Sequence, residues 1–143
     1  MTAPQRTVPN DMSWVLDPLL TLPGVRHGVV LTADGMVTGA SPELRREAAE
    51  GTAAMMSALQ GAARAVAREL SGEPGTRVEQ VVLATDNGVV FAVPAGEDTV
   101  LALFADTSCE MAALTHRVQL QVAALATWAA APRQHRGSGI RGS

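Results

Sequence analysis

The chain has 143 residues, a length that fits one compact domain with a single hydrophobic core, and 47% of its residues are hydrophobic. Aromatic residues make up 3% of the chain, which argues against base-stacking platforms for nucleic acid, and its one cysteine excludes an internal disulfide. The formal net charge is −3, but residues 133–143 carry three arginines and no acid, which leaves −6 on the remainder and a poor surface for nucleic acid.

The chain contains no apolar run with the length of a signal-peptide core or of a bilayer span. Together with the single cysteine, this favours a cytoplasmic protein without membrane insertion. Residues 1–9 are polar and hold two prolines, so they are predicted to be flexible. Residues 10–132 are predicted to form the folded domain, and residues 133–143 a disordered basic tail.

The first predicted helix begins at an Asn10 or Asp11 cap and ends before Pro23 and Gly24. Pro18 lies inside it and predicts a kink or a restart, because proline lacks an N–H donor and clashes with the preceding turn.

Two antiparallel strands are predicted next, at residues 25–32 and 36–40. Both segments are rich in valine, and Asp34 and Gly35 between them favour the positive φ of a tight hairpin turn.

A long helix is predicted over residues 42–70. Ser41, Pro42 and Glu43 indicate its start, since they offer a hydroxyl cap, a proline where no donor is needed and an acid at the positive end of the helix dipole. Its larger apolar residues form a stripe suited to packing on a sheet: Thr52, Met56, Leu59, Ala63, Val66 and Leu70. Small residues form a second stripe, which permits close approach of another backbone: Ala48, Gly51, Met55, Ala58, Ala62 and Ala65.

Three further strands are predicted at residues 77–85, 88–93 and 99–104. Consecutive apolar residues in these strands indicate that helices cover both faces of the sheet. Thr107 and Glu110 have the spacing of a capping box and predict a last helix that ends near Pro132.

The sequence holds no complete set of catalytic or metal-binding residues. All eleven basic residues are arginine, and the glycines form neither a GxxxxGK[ST] nor a GxGxxG loop, so the chain is not predicted to be a GTPase. The three histidines lack metal-ligand spacing. Cys109 and His116 lie two turns apart on the predicted last helix, about 10 Å, which is too far for a catalytic pair. We therefore predict no enzyme activity, no cofactor and no metal.

The element order α-β-β-α-β-β-β-α, together with LPGVRHGVVLTADGMVTGAS at residues 22–41, resembles the Roadblock/dynein light-chain family. The resemblance spans about residues 12–130 and is strongest to small actinobacterial members, which are encoded beside a sensor-kinase-like protein and a Ras-like GTPase. It implies an α/β fold of the roadblock/profilin type, with a five-stranded, largely antiparallel sheet, a long helix on one face and two helices on the other.

The resemblance also implies a homodimer whose sheets join edge to edge through the first strand after the long helix, with the two long helices antiparallel. An uncovered edge strand and a stripe of small residues favour the same arrangement, although the stripe could instead lie under a loop of the same chain. The predicted interface residues are Ala48, Gly51, Met55, Ala58, Ala62, Ala65, Val78, Val81 and Leu83.

The function that the resemblance implies is non-catalytic regulation of a Ras-like small GTPase in bacterial signalling, as an adaptor or a GTPase-activating protein. The predicted docking residues on the long helix are Arg45, Arg46, Met55, Arg64 and Arg68. The candidate arginine fingers are Arg26, Arg45, Arg46, Arg64 and Arg68. One alternative is a scaffold that recruits a sensor kinase without affecting nucleotide turnover. A weaker alternative is an enzyme or small-ligand sensor, because a long helix wrapped by a sheet also occurs in thioesterase-like and sensory folds.

Overall fold

A computed structural model describes residues 11–130 of the chain. The predicted flexible N-terminus, the helix end near Pro132 and the basic tail lie outside this range. Within it, the first helix has two parts, a 3-10 turn at Ser13–Leu16 and a short helix α1 at Asp17–Leu20. Pro18 lies in the first turn of α1, where its missing N–H costs no hydrogen bond, so the restart predicted at Pro18 is confirmed.

Five strands form one sheet in which every neighbouring pair is antiparallel. The strands are β1 (Val25–Thr32), β2 (Val37–Ala40), β3 (Val81–Thr85), β4 (Gly88–Pro94) and β5 (Thr99–Asp106). Their order across the sheet is β2-β1-β5-β4-β3, so β2 and β3 are the edges. The predicted fold class is confirmed.

Strand β3 is shorter than predicted, because it begins at Val81 and not at residue 77. Its register with β4 pairs Val81 with Ala92, so an extended β3 would bring Glu79 opposite Pro94. Proline has no N–H to donate to a ladder, and the pairing ends before it.

The long helix α2 spans Arg46–Ser71 and ends at Gly72, which adopts the left-handed conformation with φ of 73°. It starts four residues later than predicted, and Ser41 does not cap it: the cap residue is Arg45, which makes no side-chain cap hydrogen bond. Ser41 is buried, and its Oγ accepts a hydrogen bond from the Gly28 N–H (2.5 Å) and donates one to the Gly28 carbonyl oxygen (3.0 Å). The hydroxyl therefore joins the end of β2 to β1.

The last helix, α3, spans Met111–Ala130. A capping box of Thr107 and Glu110 would start the helix at residue 108, but α3 starts three residues later, at Met111. The predicted capping box is therefore wrong. The turn before α3 is organised by Asp106, whose carboxylate accepts hydrogen bonds from the Ser108 backbone N–H (2.9 Å) and hydroxyl (2.6 Å).

The sheet has an apolar layer on each face, as predicted from its apolar strands. On one face, α2 covers β1, β4 and β5 through Ala49, Ala53 and Met56. On the other face, the 3-10 turn, α1 and α3 enclose the larger layer, which includes Val15, Leu16, Leu19, Leu114, Val118 and Leu125. Within residues 11–130, no other helix lies on the α2 side of the sheet, and the outer surface of α2 is open.

Candidate partner-binding surface

The two edges of the sheet differ in how their backbone groups are satisfied. At β2, the Thr38 carbonyl oxygen accepts a hydrogen bond from the Met12 N–H (2.7 Å), and the Ala40 N–H donates to the Ser13 hydroxyl (3.2 Å). The 3-10 turn thereby covers that edge. At β3, no segment of residues 11–130 pairs with the outer side of the strand. An open edge of this kind is a template for pairing with another strand.

Exposed apolar side chains lie beside this open edge. Val66 and Leu70, in the last turns of α2, are 56% and 82% exposed, and Leu83 of β3 is 41% exposed. We call these three residues the edge strip. A groove of about 530 Å³ separates the two elements and is lined by Leu59, Ala62, Ala63, Val66, Ala67 and residues 78–81.

The edge strip corrects the expectation that the whole larger stripe of α2 packs on the sheet. Met56 is buried and Thr52 and Leu59 are half-buried, but Val66 and Leu70 are exposed. Exposed apolar side chains beside an unpaired strand are typical of a protein–protein contact.

The predicted interface residues lie on two surfaces. Gly51, Met55, Ala58 and Ala65 are exposed on the side of α2 that faces away from the sheet, Ala62 is exposed and lines the groove, and Ala48 is half-buried. Val78 and Val81 are half-buried at the groove, and Leu83 is exposed at the edge. The small stripe is therefore not covered by a loop from residues 11–130.

The predicted docking arginines fall into two groups. Arg45 and Arg46 lie at the start of α2, where Arg46 Nε is 3.5 Å from a Glu50 carboxylate oxygen, while Arg64 and Arg68 lie near its end. A helix rises 1.5 Å per residue, so Arg46 and Arg64 are about 27 Å apart. One chain does not bring all four arginines to one site.

Arg64 and Arg68 instead share a cleft with residues that the sequence analysis did not single out. The cleft has a volume of about 450 Å³ and lies between the second half of α2, the segment before β3 and the β4–β5 turn. We call it the arginine cleft; its polar lining includes Gln60, Arg64, Arg68, Arg77 and Glu97. In the sequence, only the four-residue spacing of Gln60, Arg64 and Arg68 on one side of the helix could have indicated this cleft. Arg77 is brought next to them by the tertiary fold.

The remaining candidates for chemistry stay apart. Burial raises the pKa of the half-buried Cys109 thiol, and the carboxylates of Asp106 and Glu110 add to that shift, so the thiol is not activated by the start of α3. The Ser108 hydroxyl and N–H, with a smaller contribution from Arg26, lower the pKa of Asp106. Among residues 11–130, no three His, Cys, Asp or Glu side chains are grouped as a metal site would require.

None of the helices within residues 11–130 has the length and apolarity needed to cross a membrane. A cavity of about 230 Å³ lies between α2 and the sheet, where it is lined by His27, Met56 and Phe104 among other residues. His27 Nδ1 is buried there without a hydrogen bond to any of the described residues.

The comparison with solved structures supports the fold. A Roadblock/LC7 domain from Streptomyces avermitilis is 27% identical and superposes with a TM-score of 0.74, over 82% of this chain and 97% of that one. MglB from Myxococcus xanthus is 14% identical, with a TM-score of 0.71 over 82% of this chain and 86% of that chain. Profilin II from Acanthamoeba castellanii is 15% identical, with a TM-score of 0.60 over 83% and 98%, respectively. At such low identities, the last two show the fold alone.

No curated protein sequence matched the chain. The family profile described as Roadblock/LC7 domain matches residues 12–105, a span that runs from the 3-10 turn almost to the end of β5 and includes α2 and the open β3 edge. Proteins of this family are generally non-catalytic regulators or adaptors. The chain belongs to the Roadblock/LC7 domain family.

Proposed function

We propose that the chain is a homodimeric, non-catalytic regulator that acts by binding other proteins. The observation that carries this proposal is the open β3 edge beside the exposed edge strip, in a fold of the Roadblock/LC7 family. Pairing two β3 strands antiparallel would satisfy the outer backbone groups of both copies and extend the sheet to ten strands.

In such a dimer the two α2 helices lie side by side on one face of the joined sheet, in antiparallel directions. If the pair is centred between Ala58 and Leu59, Val66 of one copy lies opposite Gly51 of the other, and Leu70 lies near Ala48. Large side chains then meet small ones, which allows close packing of the two helices. The edge strip and the small stripe are in this way two parts of one interface.

Three arginine variants test the interface, each at an exposed apolar position. Val66→Arg and Leu83→Arg would bury a charge in the dimer, but each costs little in a single chain because the side chain is exposed there. Met36→Arg is the matched control, since Met36 is 63% exposed in the β1–β2 turn near the opposite edge. In sedimentation velocity, wild type and Met36→Arg are expected to be dimers and the other two monomers. A dimer that survives both Val66→Arg and Leu83→Arg would disprove this interface.

We further propose that the dimer regulates a Ras-like small GTPase, as the resemblance to actinobacterial Roadblock proteins implies. Antiparallel α2 helices support a docking surface, because Arg45 and Arg46 of one copy would lie at the same end of the helix pair as Arg68 of the other. The two arginine groups, about 27 Å apart in one chain, would then form a basic patch at each end of the helix pair. Such a patch suits the acidic rim of a protein partner and steers its association.

GTP hydrolysis by a Ras-like GTPase from the same organism, with and without the dimer, tests this proposal. Faster hydrolysis with a stable complex would identify an activator, and a complex without acceleration would identify an adaptor. Arg46→Ala is expected to weaken the complex and Arg117→Gln to leave it unchanged, because Arg117 lies on α3, on the other face of the sheet. No complex in either nucleotide state would reject GTPase regulation in favour of the second candidate, a scaffold that recruits a sensor kinase.

A further inference from the structure

The arginine cleft has a charge that its own residues do not balance. Arg64, Arg68 and Arg77 line it with one acid, Glu97, and none of the three arginines makes an ion pair within residues 11–130. Two elements supply these guanidinium groups, α2 and the segment before β3. The lining therefore has an excess of two positive charges in a concave site, where field lines converge and favour an anion.

One of the arginines is held in place. Arg68 Nε donates a hydrogen bond to the Thr76 carbonyl oxygen (3.3 Å), and Thr76 lies just before Arg77. The contact directs the end of α2 toward the segment before β3 and leaves the outer nitrogens of the guanidinium group available. An arginine fixed through Nε loses less conformational entropy when it binds an anion.

Gln60 is a second, independent observation at the same cleft. It is 4% exposed and lies on the buried face of α2, and its Oε1 has no hydrogen-bond partner among the described residues. An unpaired buried amide lowers stability, and Leu or Met at this position would avoid that cost. The side chain also carries an NH₂ group, and rotation about its last bond can turn this donor toward a ligand oxygen in the cleft.

We propose that the arginine cleft binds the phosphate group of a small anionic ligand. The planar guanidinium group matches phosphate oxygens with paired hydrogen bonds, and an excess of two charges suits a phosphate better than a single carboxylate. The volume of about 450 Å³ lies in the range of small-molecule sites. This inference does not require dimer formation, because every residue of the site comes from one chain. Arg64 and Arg68 are also proposed docking residues, so the binding test below uses this chain without a GTPase.

Calorimetric titration of the full chain with inorganic phosphate, pyrophosphate and GDP, at constant ionic strength, measures this binding. Pyrophosphate is expected to bind, and Arg68→Gln or Arg77→Gln to weaken it about tenfold or more, through loss of a charge-assisted contact. Arg26→Gln is the control. Ala33, which follows β1, lines the cleft, and Arg26 lies at the other end of β1, about 20 Å from it. This variant removes the same charge and should leave the pyrophosphate affinity unchanged. GDP binding more tightly than pyrophosphate would identify a nucleotide, and equal affinity a site for the phosphates alone.

Gln60→Met separates ligand binding from a structural role. It keeps the side-chain volume and removes the unpaired amide, so the midpoint of thermal unfolding without ligand should rise while the pyrophosphate affinity falls. If the Gln60→Met protein and the Arg77→Gln protein each bind pyrophosphate as tightly as the wild type, the proposal is overturned. So would the absence of heat beyond dilution, or equal binding of a tetraglutamate peptide, which would indicate general attraction of acidic groups.

Discussion

Replacing Ser41 by alanine tests the hydrogen bonds that join β2 to β1. The Ser41 hydroxyl is buried, accepts from the Gly28 N–H (2.5 Å) and donates to the Gly28 carbonyl oxygen (3.0 Å). That carbonyl oxygen keeps a second donor in Ser41→Ala, since the backbone N–H of residue 41 also reaches it (3.0 Å). The Gly28 N–H, by contrast, loses its acceptor inside the protein.

A buried N–H without a partner costs about 1–3 kcal/mol of unfolding free energy. For a fold of this size, a loss of about 2 kcal/mol lowers the midpoint of thermal unfolding by roughly 6–10 °C. Because a dimer makes this midpoint depend on concentration, all variants are compared at one protein concentration. Ser71→Ala is the control, since Ser71 is exposed and its contacts can be replaced by water; its change should stay within about 0.5 kcal/mol.

Ser41→Asp distinguishes this role from helix capping. Aspartate is as good a cap as serine, so a capping Ser41 would tolerate it. At the observed position, however, the ionised carboxylate would be buried, and it could not donate to the Gly28 carbonyl oxygen. Urea unfolding should therefore rank Ser41→Asp at least as unstable as Ser41→Ala. A fully stable Ser41→Asp protein would refute the structural assignment.

Three other changes test particular contacts. Gly88 has φ of 142°, and Gly88→Ala would place a Cβ atom against a backbone carbonyl oxygen of β5. Urea unfolding is expected to show a loss of about 2–5 kcal/mol in the unfolding free energy, and a loss below about 1 kcal/mol would contradict the β4–β5 register. Cys109 should react with iodoacetamide more slowly than free cysteine at neutral pH, because the pKa of its thiol is raised. Asp106→Asn should speed the reaction, since it removes a nearby carboxylate. A wild-type reaction as fast as that of free cysteine would contradict the burial of the thiol. Gln121→Ala removes the Nε2 donor to the Val15 carbonyl oxygen (2.9 Å), and calorimetry should show a loss of about 1 kcal/mol, whereas no loss would mean that α3 does not depend on this contact.

Local signals in the sequence predicted most of the fold. Asp34 and Gly35 mark the β1–β2 turn, where Gly35 has φ of 95°, and Gly72 ends α2 with φ of 73°. In both places the residue type that tolerates positive φ stands where the chain must turn. Pro18 likewise marks the restart at α1.

The errors arise where a distant residue decides the local structure. Ser41 has the pattern of a helix cap, but the Gly28 N–H, thirteen residues earlier, takes its hydroxyl. The start of β3 depends on Pro94 in the neighbouring strand. Val66 and Leu70 fit the apolar stripe of α2, yet their exposure depends on where the sheet ends, which the helix itself does not encode.

The candidate surfaces were predictable to different degrees. The small stripe of α2 is visible as a periodic pattern, whereas the edge position of β3 was implied only by the resemblance. The arginine cleft joins Arg77 to Arg64 and Arg68 only through the path of the chain after Gly72. Sites that combine separate segments in this way are not visible from local spacing.

Amide hydrogen exchange of the β3 strand, Val81–Thr85, tests the central claim most directly. In a single chain the outward N–H groups of this edge strand are open to water and exchange quickly, whereas in the proposed dimer they pair with the partner strand. We predict slow exchange of alternate β3 amides in the wild type, and fast exchange in Val66→Arg, with the amides of β1 and β5 protected in both proteins. Equally fast exchange of the β3 amides in the two proteins, at concentrations where the wild type is expected to be a dimer, would contradict association through this edge.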